Sequence, residues 1–247
     1  MNKDTVKRIR DYSIDAKEVF EEFLKTSPQA NLFRKYFHLR PTSSGVTIVS
    51  TLPDAPMRGI STTSKDDLKD KLSKIHTVLN KLVSDDYKLR RETLSSLGFK
   101  NRGTQTWREE DAQAAFIRGM ITEDPVYEGI QFVASELCLE QGNRFDVVGL
   151  KNNTLYLFEL KRDRTTIVAD QAQRYYNHVN DHRSDFDMVL SVYPNLANVH
   201  FDNVKTVVVM RRAENSPRSK WENYSRTSNV DVWLFEQSIS FEKVQQP

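Results

Sequence analysis

The sequence predicts an α/β protein: a mixed sheet with helices on its faces, preceded by a mostly helical N-terminal region. From residue 106 onward, the apolar patterns follow the order of one helix, three strands, one helix and three strands, which is typical of such a sheet. Apart from Glu159 and Lys161, the segment Leu155–Lys161 is apolar on both faces, as expected for a central strand. Before residue 104, apolar residues recur mainly at helical spacing. We therefore expect one domain over residues 1–104 and a second over residues 105–247.

The N-terminal domain is expected to serve DNA binding, partner binding or dimerisation. Its spacing predicts helices over residues 4–40, with an interruption at Ser27-Pro28, and over residues 65–82 and 86–97. Residues 41–64 are rich in turn-forming residues, and within them only Val46–Ser50 predicts a strand. The middle helix carries apolar residues at alternating steps of three and four, which predicts a packing seam and also allows a homodimer contact: Leu68, Leu72, Ile75, Leu79 and Leu82.

In the C-terminal domain, the period of the apolar residues separates predicted helices from predicted strands. Helical spacing predicts helices over residues 107–121 and 167–178. Alternation and β-branched residues predict strands over residues 130–139, 144–150, 155–161, 188–193, 204–210 and 230–235. A polar, basic loop spans residues 211–229. Cys138 lies in an apolar run and is expected to be buried.

The composition, with 28% charged and 38% hydrophobic residues, is that of an ordinary globular protein. The net charge of +2 neither requires nor excludes a nucleic-acid partner, because binding depends on local patches of charge. The single cysteine excludes an intramolecular disulfide framework and a cysteine-based zinc site. No apolar run has the length of a membrane span, and the N-terminus lacks a signal-peptide core, so we expect a cytoplasmic protein without a membrane partner.

Three charged residues lie at the end of the central strand and on its predicted neighbour. Asp146 begins one strand and Glu159 ends the next, and the short turn between them predicts an antiparallel pair with these ends side by side. Two carboxylates followed by Lys161 form an oxygen-rich site suited to a hard divalent cation such as Mg²⁺ or Mn²⁺. Such a cation can polarise a phosphoryl oxygen, and the lysine can stabilise charge on a phosphate. The alternative is a structural Glu–Lys pair with an aspartate turn cap.

The spacing of Asp146 and Glu159-Leu160-Lys161 resembles the D…ExK signature of the PD-(D/E)XK nuclease superfamily. The following helix carries Gln171 and Tyr175, similar to the Gln-x-x-x-Tyr found in several branches of the superfamily. The resemblance covers roughly the C-terminal half of the chain.

Within that half, one shorter segment resembles a more specific group of nucleases. The segment Glu136–Val148 resembles the NucS-type endonucleases. Two features depart from these patterns: Phe145 stands where proline is common in the superfamily, and residues 1–104 show none of the small β domain of NucS-type enzymes. The particular function of NucS-type enzymes is therefore not carried over.

The resemblance implies a restriction-endonuclease-like core that hydrolyses phosphodiester bonds, usually in DNA, with bound Mg²⁺ or Mn²⁺. It implies catalytic roles for Asp146, Glu159, Lys161 and Gln171, and metal binding by Glu110, Asp146, Glu159 and Leu160. Glu110 comes from the helix before the first strand, where Glu109 is the alternative by one residue. An acid in the first turn of a helix is also favoured by the helix dipole alone.

Basic and aromatic residues beyond the central strand are candidates for contact with a nucleic acid. The candidates are Arg162, Arg164, Tyr175, Arg211, Arg212 and Lys220, to which Arg218, Trp221, Tyr224 and Arg226 of the same basic loop can be added. A solvated surface loop explains these residues equally well, and Tyr175 is equally consistent with the core. Glu136 is a further, weaker site candidate.

We therefore expect a metal-dependent nuclease, most simply a DNA endonuclease in restriction, repair or defence. The alternative is a nuclease-like module that has lost activity and binds nucleic acid or protein. The complete set of Asp146, Glu159 and Lys161 argues against that alternative, and a ribonuclease is a third reading.

Overall fold

The computed structural model describes residues 1–100, 108–161, 167–211, 225, 230–235 and 241–243. Its helices are α1 (Lys3–Thr26), α2 (Ala30–Tyr36), α3 (Lys65–Thr77), α4 (Leu79–Leu82), α5 (Tyr87–Ser96), α6 (Glu109–Ile121), α7 (Ile167–Asp181) and α8 (Arg183–Leu190). Its strands are β1 (Phe37–Thr42), β2 (Gly45–Ser50), β3 (Gly59–Thr62), β4 (Gln131–Glu140), β5 (Asn143–Lys151), β6 (Thr154–Lys161), β7 (Asn203–Arg211), β8 (Asp231–Phe235) and β9 (Phe241–Lys243). Within these ranges, no helix has the length and apolar character needed to cross a bilayer.

A six-stranded mixed sheet forms the C-terminal half, which confirms the predicted α/β class. The strand order is β4-β5-β6-β7-β8-β9, with β6, β7 and β8 parallel to one another and the other pairs antiparallel. The crossover from β6 to β7 contains α7 and α8.

Both faces of β6 are buried, as its apolar pattern predicts. Leu155 and Leu157 pack into a cluster with α7 and α8, whereas Phe158 and Leu160 pack into another with α6. The central strand therefore positions its polar end between two helices that lie on opposite faces of the sheet.

The N-terminal region contains helices and also a three-stranded antiparallel sheet in the order β1-β2-β3, so a mostly helical reading is incomplete. The predicted helix over residues 31–40 ends at Tyr36, because Phe37 begins a strand that pairs with Ser50. The predicted strand at Val46–Ser50 is confirmed as the middle strand of this sheet. Long-range pairing, which single-sequence spacing does not reveal, decides between helix and strand here.

The predicted leucine seam is buried within the chain. Its five residues belong to a core cluster with the middle of α1 and the N-terminal sheet: Leu68, Leu72, Ile75, Leu79 and Leu82. The seam is therefore an intramolecular packing surface, and it gives no support to the homodimer, which stays a prediction.

Helix α1 joins the two halves of the structure. Val6 and Ile9 pack with the six-stranded sheet and α7, whereas Val19 and Phe20 pack with the N-terminal sheet. The boundary near residue 104 falls outside the described residues and stays a prediction.

Two predictions in the C-terminal half are wrong. Of the expected strand over residues 188–193, residues 188–190 are instead the end of α8 and residues 191–193 follow it, because Phe186, Val189 and Leu190 are buried at helical spacing. Cys138 is exposed rather than buried, because it alternates with the buried Leu137 and Leu139 and lies on the other side of β4.

Candidate metal and catalytic centre

Asp146 and Glu159 lie opposite each other on β5 and β6, as the hairpin predicts. The antiparallel register pairs Val147 with Phe158, so Asp146 and Glu159 occupy the next pair of positions along the two strands. Side chains at opposed positions share one face of a sheet and lie close together. The short turn between the strands thus brings the two carboxylates to the same end of the sheet.

Asp146 is fixed by a bond to the neighbouring strand. Its Oδ2 accepts a hydrogen bond of 2.8 Å from the backbone N–H of Leu160, and its own backbone carbonyl accepts from Gln113 Nε2 at 2.7 Å. Burial, followed by the negative charge of Glu159, raises the pKa of Asp146 from 3.8 to about 7. Two acids held this close resist ionising together, and this is the electrostatic condition that a bound cation relieves.

Glu159 is the most buried charged group of the cluster, with 2% of its surface exposed. Its Oε1 forms an ion pair with Lys161 and accepts a hydrogen bond of 2.7 Å from Gln171 Nε2. Its Oε2 is buried and has no hydrogen-bond partner among the described residues. Burial raises the pKa of Glu159 in spite of the favourable contact with Lys161. One carboxylate oxygen is therefore available to a ligand.

Lys161 stands at the end of β6 among three acids. Its Nζ contacts Glu159 and lies 3.9 Å from Oε1 of Glu109, the first residue of α6. Burial acts to lower the pKa of Lys161, but the hydrogen bond and charge of Glu159, with Asp146 and Glu109 beyond, outweigh burial and raise it. The ammonium therefore stays charged at neutral pH.

Gln171 and Tyr175 link the cluster to α7. Gln171 Nε2 donates to Oε1 of Glu159 at 2.7 Å and to the hydroxyl of Tyr175 at 2.6 Å. The Tyr175 hydroxyl in turn donates to the carbonyl of Arg144 at 2.7 Å. Tyr175 is 3% exposed, and its ring packs edge-on against Phe145. Its position therefore suits orientation of Gln171 rather than the contact with nucleic acid that its sequence position allows.

The remaining predicted site residues occupy different places. Leu160 is at the centre through its main chain, while its side chain is buried. Of the two neighbouring acids in the first turn of α6, Glu109 is the one that lies beside Lys161, whereas Glu110 has no hydrogen bond or ion pair with Asp146, Glu159 or Lys161.

Arg211 is the predicted nucleic-acid residue whose place is clearest. The parallel register pairs Met210 of β7 with Lys161, so Arg211 lies one position farther along β7. It therefore belongs to the same end of the sheet as the acidic cluster. Arg162, Arg164, Arg212 and Lys220 fall outside the described residues, as do Arg218, Trp221, Tyr224 and Arg226.

Glu136 lies on β4 between Ser135 and Leu137, which pair with Val147 and Phe145, so it neighbours Asp146 on the adjoining strand. It has a positive φ of 48° and forms an ion pair with Arg40 of the N-terminal sheet. This ion pair gives Glu136 a structural role between β1 and β4, and its part in the site stays a prediction.

A cavity of about 990 Å³ lies away from the acidic cluster. It is lined by residues of α1, α2, β1 and the ends of α6 and β4, including Phe20, Arg34, His38 and Phe132. We therefore locate the candidate centre by its chemistry rather than by cavity size.

A second group of possible metal ligands was not predicted. Glu140, His178 and His182 each place a potential ligand atom within 4.8 Å of the other two. The sequence signal is the spacing of four between the two histidines on one helix. Glu140 is remote in sequence, and only the fold brings it to them.

The described geometry can be set beside known proteins. Scans against protein-family models and searches of curated proteins and of solved structures found no match to this chain. A functional proposal therefore depends on the residues of the cluster themselves.

Proposed function

We propose that this protein is a metal-dependent nuclease, and specifically an endonuclease that hydrolyses phosphodiester bonds in DNA. The observation that carries the proposal is the meeting of Asp146 and Glu159 beside Lys161, with Oε2 of Glu159 buried and without a hydrogen-bond partner among the described residues. A buried carboxylate oxygen of this kind calls for a ligand or another structural explanation.

The donor set fits a hard divalent cation. Asp146 and Glu159 supply carboxylate oxygens, which are the ligands that Mg²⁺ and Mn²⁺ prefer. Leu160 can add only its backbone carbonyl, and Glu109, rather than Glu110, is the acid of α6 near enough to Lys161 to assist. When bound, the cation supplies electrostatic stabilisation of the phosphate and activation of water.

The protein groups divide the remaining tasks. Glu159 and Asp146 hold the cation at the end of the sheet, and the N–H of Leu160 fixes the orientation of Asp146. The ammonium of Lys161 lies where it can stabilise charge on a phosphate or orient a water molecule. Gln171 keeps the carboxylate of Glu159 in place, and Tyr175 keeps Gln171 in place.

DNA is the proposed substrate because basic residues end or follow two neighbouring strands of the sheet. Arg211 ends β7 next to the strand that carries Lys161, and Arg162 and Arg164 come within three residues of Lys161 in the sequence. Arginine side chains can bind the phosphates of a nucleic acid without reading its bases. They suit a nucleic-acid backbone better than a small phosphate ester.

A cleavage assay on supercoiled, linear, branched and single-stranded DNA, with an RNA arm, tests the proposal. We expect cleavage with Mn²⁺ or Mg²⁺ and none with EDTA. Glu159→Gln and Lys161→Met should each reduce the rate by at least about 100-fold, because the first weakens the binding of the cation and the second removes a positive charge beside the phosphate. Lys151→Met is the matched control: Lys151 ends the neighbouring strand and pairs with Glu128 at 3.7 Å, so its loss should leave the rate unchanged.

The possible outcomes are distinct. Full activity in Glu159→Gln or Lys161→Met would remove those residues from the mechanism. Cleavage of RNA alone would change the substrate class. Salt-sensitive DNA binding without turnover, over all metals and substrates, would favour the inactive binding module.

A further inference from the structure

Two histidines and a glutamate meet at the end of α7 that is farther from Gln171. His178 and His182 are one helical turn apart, and the N–H of His182 donates to the carbonyl of His178 at 3.2 Å. Their rings therefore leave the same side of the chain, with centroids 5.0 Å apart. Glu140 ends β4, and its Oε2 lies 3.6 Å from Nδ1 of His178.

His178 is held in place but not fully bonded. It is 8% exposed, and its ring lies near Phe145 and Phe186, with centroid distances of 6.4 and 5.6 Å. Its Nε2 is buried and has no hydrogen-bond partner in the part of the chain that the structure describes. The ring nitrogen that faces Glu140 is Nδ1, so Nδ1 is the atom placed to share a ligand with this carboxylate.

We propose that Glu140, His178 and His182 form a binding site for zinc or a related transition metal. Two imidazoles and one carboxylate are a donor set that such metals prefer, whereas Mg²⁺ prefers oxygen alone. This site is therefore separate in chemistry, as well as in position, from the cluster of Asp146 and Glu159.

The geometry permits the site to close. Ligand atoms of a tetrahedral zinc ion lie about 3.4 Å apart, so the present spacing of up to 4.8 Å needs side-chain movements of roughly 1 Å. A groove of about 440 Å³, lined in part by Asn143, Asp170 and His178, reaches the buried ring from the surface. Asn143 Nδ2 lies 3.4 Å from Oε2 of Glu140 and orients this carboxylate from outside the site.

A metal bound here ties α7 to the turn between β4 and β5. The same helix carries Gln171 and Tyr175, and β5 carries Arg144, whose carbonyl accepts from Tyr175. The metal thus has a positioning role: it holds the helix and the hairpin that support the acidic cluster. Binding itself does not depend on the proposed nuclease activity.

Metal titration of a chain without a histidine tag tests the proposal. After EDTA treatment and dialysis, we expect one Zn²⁺ per chain by calorimetry, a tetrahedral visible spectrum with Co²⁺, and a higher melting temperature with zinc. His182→Ala and Glu140→Gln should weaken zinc binding by about 100-fold or more, because each removes one of three ligands. His200→Ala is the matched control, since His200 is exposed and lies 3.3 Å from Asp202, which is not part of this cluster.

A double variant in the acidic cluster separates the two proposed metal sites. The double variant Asp146→Asn, Glu159→Gln should keep its zinc affinity, and excess Mg²⁺ should not displace the zinc. Because His178→Ala alters a buried position and can disturb folding, the zinc affinities of His182→Ala and Glu140→Gln provide the test. Circular dichroism first confirms that these two variants are folded. Absence of zinc binding in the wild type, unchanged affinity in His182→Ala, or loss of zinc in the double variant would overturn the proposal.

Discussion

Replacing Asp146 by asparagine measures the free-energy cost of a carboxylate that is buried beside Glu159. In the metal-free protein, burial and the charge of Glu159 raise the pKa of Asp146 from 3.8 to about 7. The unfolded chain loses this proton near pH 4, whereas the folded chain keeps it until about pH 7. The free energy of unfolding of the wild type should therefore fall as the pH rises between these values, and the asparagine variant should lack this decrease.

The raised pKa sets the size of the effect. The pKa of Asp146 differs by about three units between the unfolded and the folded chain. At 1.36 kcal/mol per unit, this difference limits the change in the free energy of unfolding to about 4 kcal/mol. Solvent near the partly exposed Lys161 screens the cluster, so we expect the variant to be more stable by about 1–2 kcal/mol at about pH 8. Near pH 4 the two proteins should be equally stable, because Asp146 is then protonated. Asparagine keeps an oxygen that can accept from the N–H of Leu160.

Urea unfolding in EDTA, at several pH values from about 4 to 8, provides the measurement. Asp11→Asn, at a side chain that is 54% exposed, is the control and should shift stability equally at each pH. At high pH, Mg²⁺ at 100 times its dissociation constant should stabilise the wild type by about 2.7 kcal/mol but not Asp146→Asn. An asparagine variant that is less stable than the wild type at high pH, or equally shifted at low pH, would refute the conclusion that burial and Glu159 disfavour the ionised form of Asp146.

Further predictions concern the support of the site and its contact with DNA. Tyr175→Phe should lower the free energy of unfolding by about 1–3 kcal/mol in urea titrations, because the carbonyl of Arg144 loses its donor; an unchanged midpoint would contradict this. Gly119→Ala should cost about 1–3 kcal/mol in the same assay, because a Cβ there would lie 2.3 Å from the ring of Tyr127. Arg211→Ala should reduce the slope of log affinity for DNA against log salt by about 0.9, as expected for one lost phosphate contact; an unchanged slope would place Arg211 outside the interface.

Local pattern alone was sufficient to place the central hairpin. The apolar run in Leu155–Lys161 and the short turn before it predict which strands pair, because apolar runs and turn length are local properties of the chain. The opposition of Asp146 and Glu159 follows from that register. The helical spacing of the leucine seam likewise predicts a buried face, which the core confirms.

Other features depend on how distant segments pack. Neighbouring residues on a helix point about 100° apart, so only the rotation of α6 on the sheet decides that Glu109, and not Glu110, faces Lys161. Tyr175 carries the same sequence signal whether it faces solvent or core, and the packing of α7 against Phe145 buries it. Cys138 lies on the exposed side of β4 between the buried Leu137 and Leu139, and only the packing of the strand decides which side is covered.

Short-range periodicity predicts the α/β class and the approach of Asp146 to Glu159 and Lys161. It does not predict which acid of α6 approaches that cluster, nor the meeting of Glu140 with His178 and His182, which appear only in the folded chain. Both have one cause. Contacts between residues far apart in sequence depend on the rotation and register of whole elements, which are set by packing of the core rather than by any one segment.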